Sequence, residues 1–179
     1  MGNSKTRKLV MAALCVALGL ILPTVFHAVP NAGSIFLPMH LPVLLCGFIC
    51  GWPYGLVCGA LTPLLSSVLT GMPPLAVLPG MLCELATYGF VSGMLYAHLH
   101  TPKRAVNLYG TLVLAMLAGR IVSGVLNALL FSVGTYSMQT WLAASFVTAL
   151  PGIVIQLVAV PVLVAVLQKA KLAEVPQRA

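Results

Sequence analysis

Apolar residues dominate this chain, and short clusters of Pro, Gly and polar residues interrupt them at fairly regular intervals. A helix of roughly 20 apolar residues is long enough to cross a hydrocarbon core about 30 Å thick. The pattern predicts six spans, at about residues 7–27, 38–50, 53–69, 75–98, 105–131 and 140–170. The second is short for a full span, so we expect it either to begin earlier, near Ser34, or to lie partly in the interface.

The second and third spans form a predicted hairpin with glycines at every fourth position, Gly47, Gly51, Gly55 and Gly59. On a helix this spacing gives a smooth face, against which neighbouring membrane helices pack closely. The open end of the hairpin carries two polar, proline-containing patches at residues 38–40 and 70–74. These patches lie on the same side of the membrane, and a hairpin whose open end carries His, Met, Ser, Thr and Pro is typical of part of a binding site.

Composition narrows the class of protein. The chain is 60% hydrophobic and only 6% charged over 179 residues, which predicts an integral membrane protein. Residues 1–179 are expected to form a single domain, because nearly every residue belongs to a span and no room is left for a soluble catalytic module.

The basic residues predict the orientation. Lys and Arg cluster near residues 5–8, 103–104 and 169–178, and with the N-terminus in the cytoplasm these all lie on the inner side. The outer connections, at residues 28–37, 70–74 and 132–139, contain no Lys or Arg. We therefore predict an all-α, six-helix transmembrane bundle with both termini cytoplasmic and a ligand cavity open to the extracellular side.

Two ionisable residues of opposite charge are expected deep in the spans, Glu84 in the fourth and Arg120 in the fifth. A charge in hydrocarbon costs at least roughly 2.5–3.5 kcal/mol, so both must face the bundle interior or a wet cavity. They either pair with each other as a structural bridge or meet a ligand, and the sequence leaves both alternatives open. Ser123 and Asn127 lie on the same flank as Arg120 and are candidates to line a pocket.

His40 begins the second span between two prolines. It is either a solvated interfacial residue or, with Met39, Met72, Tyr136 and Trp141, part of an amphipathic wall for a flat or partly apolar ligand.

The sequence argues against catalysis by this chain. Common hydrolase, metalloprotease and nucleotide-binding motifs are missing, and two acidic residues exclude paired-carboxylate chemistry. The five cysteines fall inside apolar segments and are expected to be small buried hydrophobic residues; we expect no metal site and no cofactor. Uphill transport would need energy from a partner or from an ion gradient, and Glu84 keeps a proton-coupled mechanism open.

Two stretches resemble a known family. The segment FLPMHLPVLLCGFICGWPYGLVCGALTPLLSSVLTGMPP, residues 36–74, is similar to the second and third helices of the vitamin-type substrate-binding (S) components of energy-coupling factor (ECF) transporters. Ala13-x-x-x-Ala17 resembles that family's small-residue motif for docking on the transmembrane coupling subunit. The resemblance covers nearly the whole chain.

The resemblance implies high-affinity binding of a vitamin near the outer surface of a bacterial plasma membrane. It implies as partners a transmembrane coupling subunit and two cytoplasmic ATPase subunits, the lipid bilayer and no nucleic acid, with toppling of the S component to deliver the ligand. The docking face would comprise Ala13, Ala17 and either Gly19 or Leu20. The pocket would be drawn from the following residues: His40, Thr70, Met72, Glu84, Tyr88, Arg120, Asn127 and Trp141.

The sequence leaves two classes of ligand open. Arg120 with Asn127 suits an anionic, pantothenate-like vitamin, which we favour slightly. His40 with Met39 suits cobalamin or another tetrapyrrole. The alternative function is a stand-alone proton-coupled secondary transporter that uses Glu84, although residues 1–90 and 91–179 do not form a convincing inverted repeat.

Overall fold

The computed structural model describes residues 4–25, 31–99, 103–131, 136–170 and 172, and these are helical apart from short connections. The predicted all-α class is confirmed for this part of the chain, in which no strand occurs. The helices are α1 Ser4–Val25, α2 Ala32–Phe36, α3 His40–Cys50, α4 Trp52–Thr70, α5 Leu78–His98, α6 Arg104–Leu126, α7 Met138–Leu142 and α8 Leu150–Lys169. A π-helical turn, Asn127–Phe131, extends α6, and a second, Ala143–Thr148, follows α7.

Five helical segments are long and apolar enough to cross a membrane, namely Lys5–Val25, Ala32–Cys50, Trp52–Thr70, Arg104–Phe131 and Leu150–Lys169. The chain is therefore an integral membrane helical bundle. Helix α5 has 21 residues, but it is more polar because it includes Glu84, Thr87 and Ser92. It lies at the centre of the bundle, in contact with α3, α4 and α6.

Glycines allow α3 and α4 to approach α5 at backbone distance. A Cβ added to Gly55 or Gly59 would overlap the main chain of α5 at Gly89 or Leu85, and one added to Gly47 would overlap the side chain of Ser92. This contact confirms the close packing that the four-residue glycine spacing predicts. Such backbone contact stabilises helix association in lipid, where burial of apolar side chains between helices gives little driving force.

The turn between α3 and α4 is tighter than the predicted connection at residues 51–54. Gly51 alone separates the two helices, with φ 93° and ψ 172°, a conformation that residues with a Cβ rarely adopt. Pro53 lies in the first turn of α4, where its missing N–H costs no helical hydrogen bond. The conformational freedom of Gly51 and the position of Pro53 together explain the sharp reversal of chain direction between α3 and α4.

Two predicted spans differ from single continuous helices. The second begins at α2, as expected for a start near Ser34, but Leu37 with φ 51° separates α2 from α3. The sixth begins at Met138 rather than near residue 140, and the π-helical turn Ala143–Thr148 divides it. Pro151 opens α8 and has no N–H to donate to the preceding turn, which accounts for a break at this point.

Helix α1 packs on α3 and α4 through one face only. Ala12, Cys15 and Gly19 are buried on that face, and Gly19 lies against the side chain of Thr62. The first predicted span extended to residue 27, whereas α1 ends at Val25 and residues 26–30 lie outside the described part of the chain.

Candidate ligand-binding site

A buried polar group forms where the start of α3 meets α5. His40 is the first residue of α3, and Glu84 and Tyr88 lie one turn apart on α5. The Nε2 atom of His40 is 3.7 Å from Oε1 of Glu84, and the Tyr88 hydroxyl donates a hydrogen bond of 3.0 Å to the same oxygen. The rings of His40 and Tyr88 meet edge to face at 5.4 Å. These contacts join α3 to α5 through polar side chains.

His40 is not a solvated interfacial residue, because only 3% of its surface is exposed. Among the described residues, neither of its ring nitrogens has a hydrogen-bond partner. Glu84 is more accessible, with 18% of its side chain exposed. The carboxylate therefore lies at the edge of the buried group and the imidazole inside it.

Arg120 is buried on α6, with 4% of its surface exposed. One guanidinium nitrogen, Nη1, donates to the main-chain carbonyl of Ser145, and the guanidinium carbon lies 5.7 Å from the centre of the Phe146 ring. Nε and Nη2 have no hydrogen-bond partner in the described part of the chain. The guanidinium thus retains two donor nitrogens that the described part of this chain does not satisfy.

Glu84 and Arg120 do not form the direct bridge that the sequence left open. The structure describes both residues, and it brings His40, but no nitrogen of Arg120, within ion-pair distance of the Glu84 carboxylate. Tyr88 lies between the two charges. Its hydroxyl contacts Glu84, and its ring lies so close to Gly119 that a side chain at that position would overlap it.

Trp141 and Phe146 enclose Arg120 from the α7 side. The Trp141 indole donates to the main-chain carbonyl of Arg120 at 3.0 Å and packs over Gly124, where a Cβ would overlap the ring. The rings of Trp141 and Phe146 meet edge to face at 5.5 Å. Trp141 is among the residues predicted for the pocket, whereas Ser145 and Phe146 are not, because nothing in the sequence signals the π-helical turn that contains both.

The remaining predicted pocket residues make local hydrogen bonds. Asn127 donates from Nδ2 to the Ser123 carbonyl at 2.8 Å and packs against Gly80. Thr70 and Met72 are exposed at the end of α4; the Thr70 hydroxyl donates to the carbonyl of Ser66, and the Met72 N–H donates to the Thr70 hydroxyl. None of these hydrogen bonds reaches the His40–Glu84–Tyr88 group.

Tyr136 lies in the connection before α7, outside the candidate spans. Partial burial and the nearby negative charge of Glu84 raise the pKa of its phenol above the ordinary value. The phenol therefore stays neutral at physiological pH and keeps its proton as a hydrogen-bond donor. A hydrogen-bond donor before α7 therefore lies within the electrostatic field of Glu84.

The predicted docking residues Ala13 and Ala17 lie on the face of α1 that does not pack against the other described helices. Ala13 and Ala17 are both exposed, and large apolar residues such as Leu14 and Leu18 are exposed beside them. Gly19 belongs to the opposite, packed face, so its assignment to the docking face is wrong. Leu20 is half-buried.

Four of the five cysteines, Cys15, Cys46, Cys50 and Cys58, are buried free thiols. In the described ranges, no group of His, Cys, Asp and Glu side chains is arranged to hold a metal ion.

The fold and the buried polar group define a multi-pass helical membrane protein with charged side chains held inside its bundle. The family model described as "ECF transporter, substrate-specific component" matches residues 7–164. The chain belongs to this family, whose members are substrate-binding subunits of transporters rather than enzymes. Comparison with curated proteins and with solved structures gives no significant match.

Proposed function

We propose that this chain is the S component that captures an anionic, pantothenate-like vitamin on the outer side of a bacterial plasma membrane. It delivers the vitamin inward as part of an ATP-driven ECF transporter. The chain crosses the membrane six times, with α5 as the additional span and both termini in the cytoplasm. The coupling subunit docks on the α1 face around Ala13 and Ala17, and two separate ATPase subunits hydrolyse ATP.

The observation that carries this proposal is the state of Arg120. A buried guanidinium without an ion-pair contact to Glu84 is costly, and a ligand carboxylate that meets Nε and Nη2 would offset that cost. The planar fork of Arg matches the two oxygens of a carboxylate in bidentate geometry. Trp141 and Phe146 supply apolar walls beside it, as binding sites for small organic anions commonly do.

The surroundings of His40 favour the anionic vitamin over a tetrapyrrole. An axial ligand must present a ring nitrogen to a large planar group, whereas His40 is almost fully buried and lies against Tyr88 and Glu84. The His40–Glu84–Tyr88 group instead has a structural role: it forms the rigid polar base of the site and holds Tyr88 against α6.

The test is uptake of labelled pantothenate into cells that produce this chain with or without its coupling and ATPase subunits. We expect uptake only when all subunits are present, and we expect it to persist when a protonophore collapses the proton gradient while ATP is maintained. Uptake by this chain alone, abolished by the protonophore, would instead establish the proton-coupled secondary transporter that uses Glu84.

A further inference from the structure

Gln156 is a fully buried polar residue in the middle of an apolar helix. It belongs to the inward face of α8, which repeats at four-residue intervals and consists of Gly152, Gln156, Val160, Val164 and Gln168. None of its surface is exposed. It is the one polar side chain between Ala149 and Leu167, a stretch that is otherwise apolar apart from Gly and Pro.

The amide of Gln156 has no hydrogen-bond partner, on either its nitrogen or its oxygen, among the residues that the structure describes. Gln168, three turns further along the same face, is partnered on both atoms: Arg104 donates to its oxygen, and its nitrogen donates to the Tyr96 hydroxyl at 3.1 Å. An unsatisfied amide inside a membrane bundle costs free energy that Met or Leu would not cost. Unlike Gln168, Gln156 thus keeps both a donor and an acceptor that a group from outside the chain could meet.

The start of α8 packs beside the segment that precedes His40. Gly152 packs against the chain at Ile35–Leu37, and His40 follows Leu37 by about one helical turn, as Gln156 follows Gly152. Helices α3 and α8 are in contact, and Gln156 belongs to the same buried face of α8 as Gly152.

Unpartnered buried polar atoms divide into two groups along the bundle. His40 and Arg120 of the candidate site and Gln156 provide one group, on α3, α6 and α8, and α8 contacts both other helices. Asn107 and Thr111 provide the others in the first two turns of α6, near the opposite end of that helix. Within the first group, the guanidinium of Arg120 is a cation and the amide of Gln156 is a neutral donor and acceptor, which together suit a ligand with both an anionic and a neutral polar part.

We propose that Gln156 contacts the ligand and determines specificity, by binding a neutral group that both donates and accepts hydrogen bonds, such as an amide or a hydroxyl. This inference rests on the proposed function, in which Arg120 binds the anionic end of the same molecule. An amide side chain suits the task because it offers a donor and an acceptor side by side. A ligand that lacks the neutral polar group would leave this amide unsatisfied and would be rejected.

The experiment compares Gln156→Met with Gln168→Met, a matched pair of substitutions on one face of one helix. Each purified protein is titrated calorimetrically in lipid nanodiscs with pantothenate and with pantothenol, the analogue in which a hydroxymethyl group replaces the carboxylate. Thermal unfolding is measured without ligand. We expect Gln156→Met to weaken binding of both compounds about 10-fold or more without lowering the melting temperature. Gln168→Met should lower the melting temperature and leave affinity unchanged, because its partners lie within the chain.

The outcomes separate this inference from the assignment of Arg120. Unchanged affinity in Gln156→Met, or a decrease in its melting temperature equal to that of Gln168→Met, would overturn the proposal that Gln156 contacts the ligand. Equal binding of pantothenate and pantothenol to the unsubstituted protein, with both weakened in Gln156→Met, would support Gln156 and contradict the anionic contact at Arg120. Binding of neither compound to the unsubstituted protein would contradict both.

Discussion

Replacement of Arg120 by Met removes the guanidinium but keeps an unbranched side chain. Without ligand, the protein loses one charge-assisted hydrogen bond to Ser145, of about 1.5–3 kcal/mol, and a cation–π contact with Phe146 of about 0.5–2 kcal/mol. The substitution also removes an unfavourable contribution of several kcal/mol, the desolvation cost of a buried cation that lacks an ion-pair contact with Glu84. Because these contributions oppose each other, we expect little net change in the free energy of unfolding.

Ligand binding should respond much more strongly than stability. Loss of one partner of a buried charge pair costs about 2–5 kcal/mol, which corresponds to a roughly 30-fold to several-thousand-fold weaker affinity for pantothenate. Pantothenol lacks the carboxylate, so Arg120→Met should affect its binding far less. Arg120→Lys keeps the charge without the planar fork and should give an intermediate affinity.

The assay is calorimetric titration in nanodiscs, with circular dichroism and thermal unfolding to establish that each variant is folded. A folded Arg120→Met protein that binds pantothenate as tightly as the unsubstituted protein would refute the carboxylate contact. An equal loss for pantothenate and pantothenol would assign Arg120 to the shape of the site rather than to the recognition of charge.

Three further predictions concern packing, docking and energy coupling. Gly89→Ala should destabilise the bundle strongly, because its Cβ would overlap an α4 carbonyl, whereas Gly110→Ala, with no atom within 4 Å of its Cβ, should be tolerated in the same thermal unfolding assay. Ala13→Trp or Ala17→Trp should prevent co-purification of the coupling subunit yet leave ligand affinity intact; loss of both would place this face within the fold. Glu84→Gln should retain ATP-dependent uptake that resists a protonophore. If uptake by the unsubstituted protein is instead sensitive to the protonophore and is lost in Glu84→Gln, the result would support proton coupling.

The hydrophobic pattern predicts much of the fold because membrane helices depend on length and apolarity, which are local properties. It locates α1, α4 and α6 to within a few residues, and the glycine spacing predicts the contact of α3 and α4 with α5. It does not predict the division of the last span. The π-helical turn Ala143–Thr148 depends on how Arg120 and Trp141 pack against that segment, which is a tertiary property.

The site is predictable in part for the same reason. Glu84 and Arg120 stand out as charges in apolar segments, but their partners, His40 and the Ser145 carbonyl, depend on which helices become neighbours. Gln156 carries no charge and was missed, although its position as a lone polar residue in an apolar stretch was a usable signal.

Native mass spectrometry of the protein, gently extracted from cells grown in rich medium, tests directly whether Arg120 binds an anionic vitamin. We predict a retained small molecule that bears a carboxylate, with the mass of pantothenate or a related anionic vitamin, and its loss from the folded Arg120→Met variant. A neutral or tetrapyrrole ligand, retained equally by that variant, would contradict binding of an anion at Arg120.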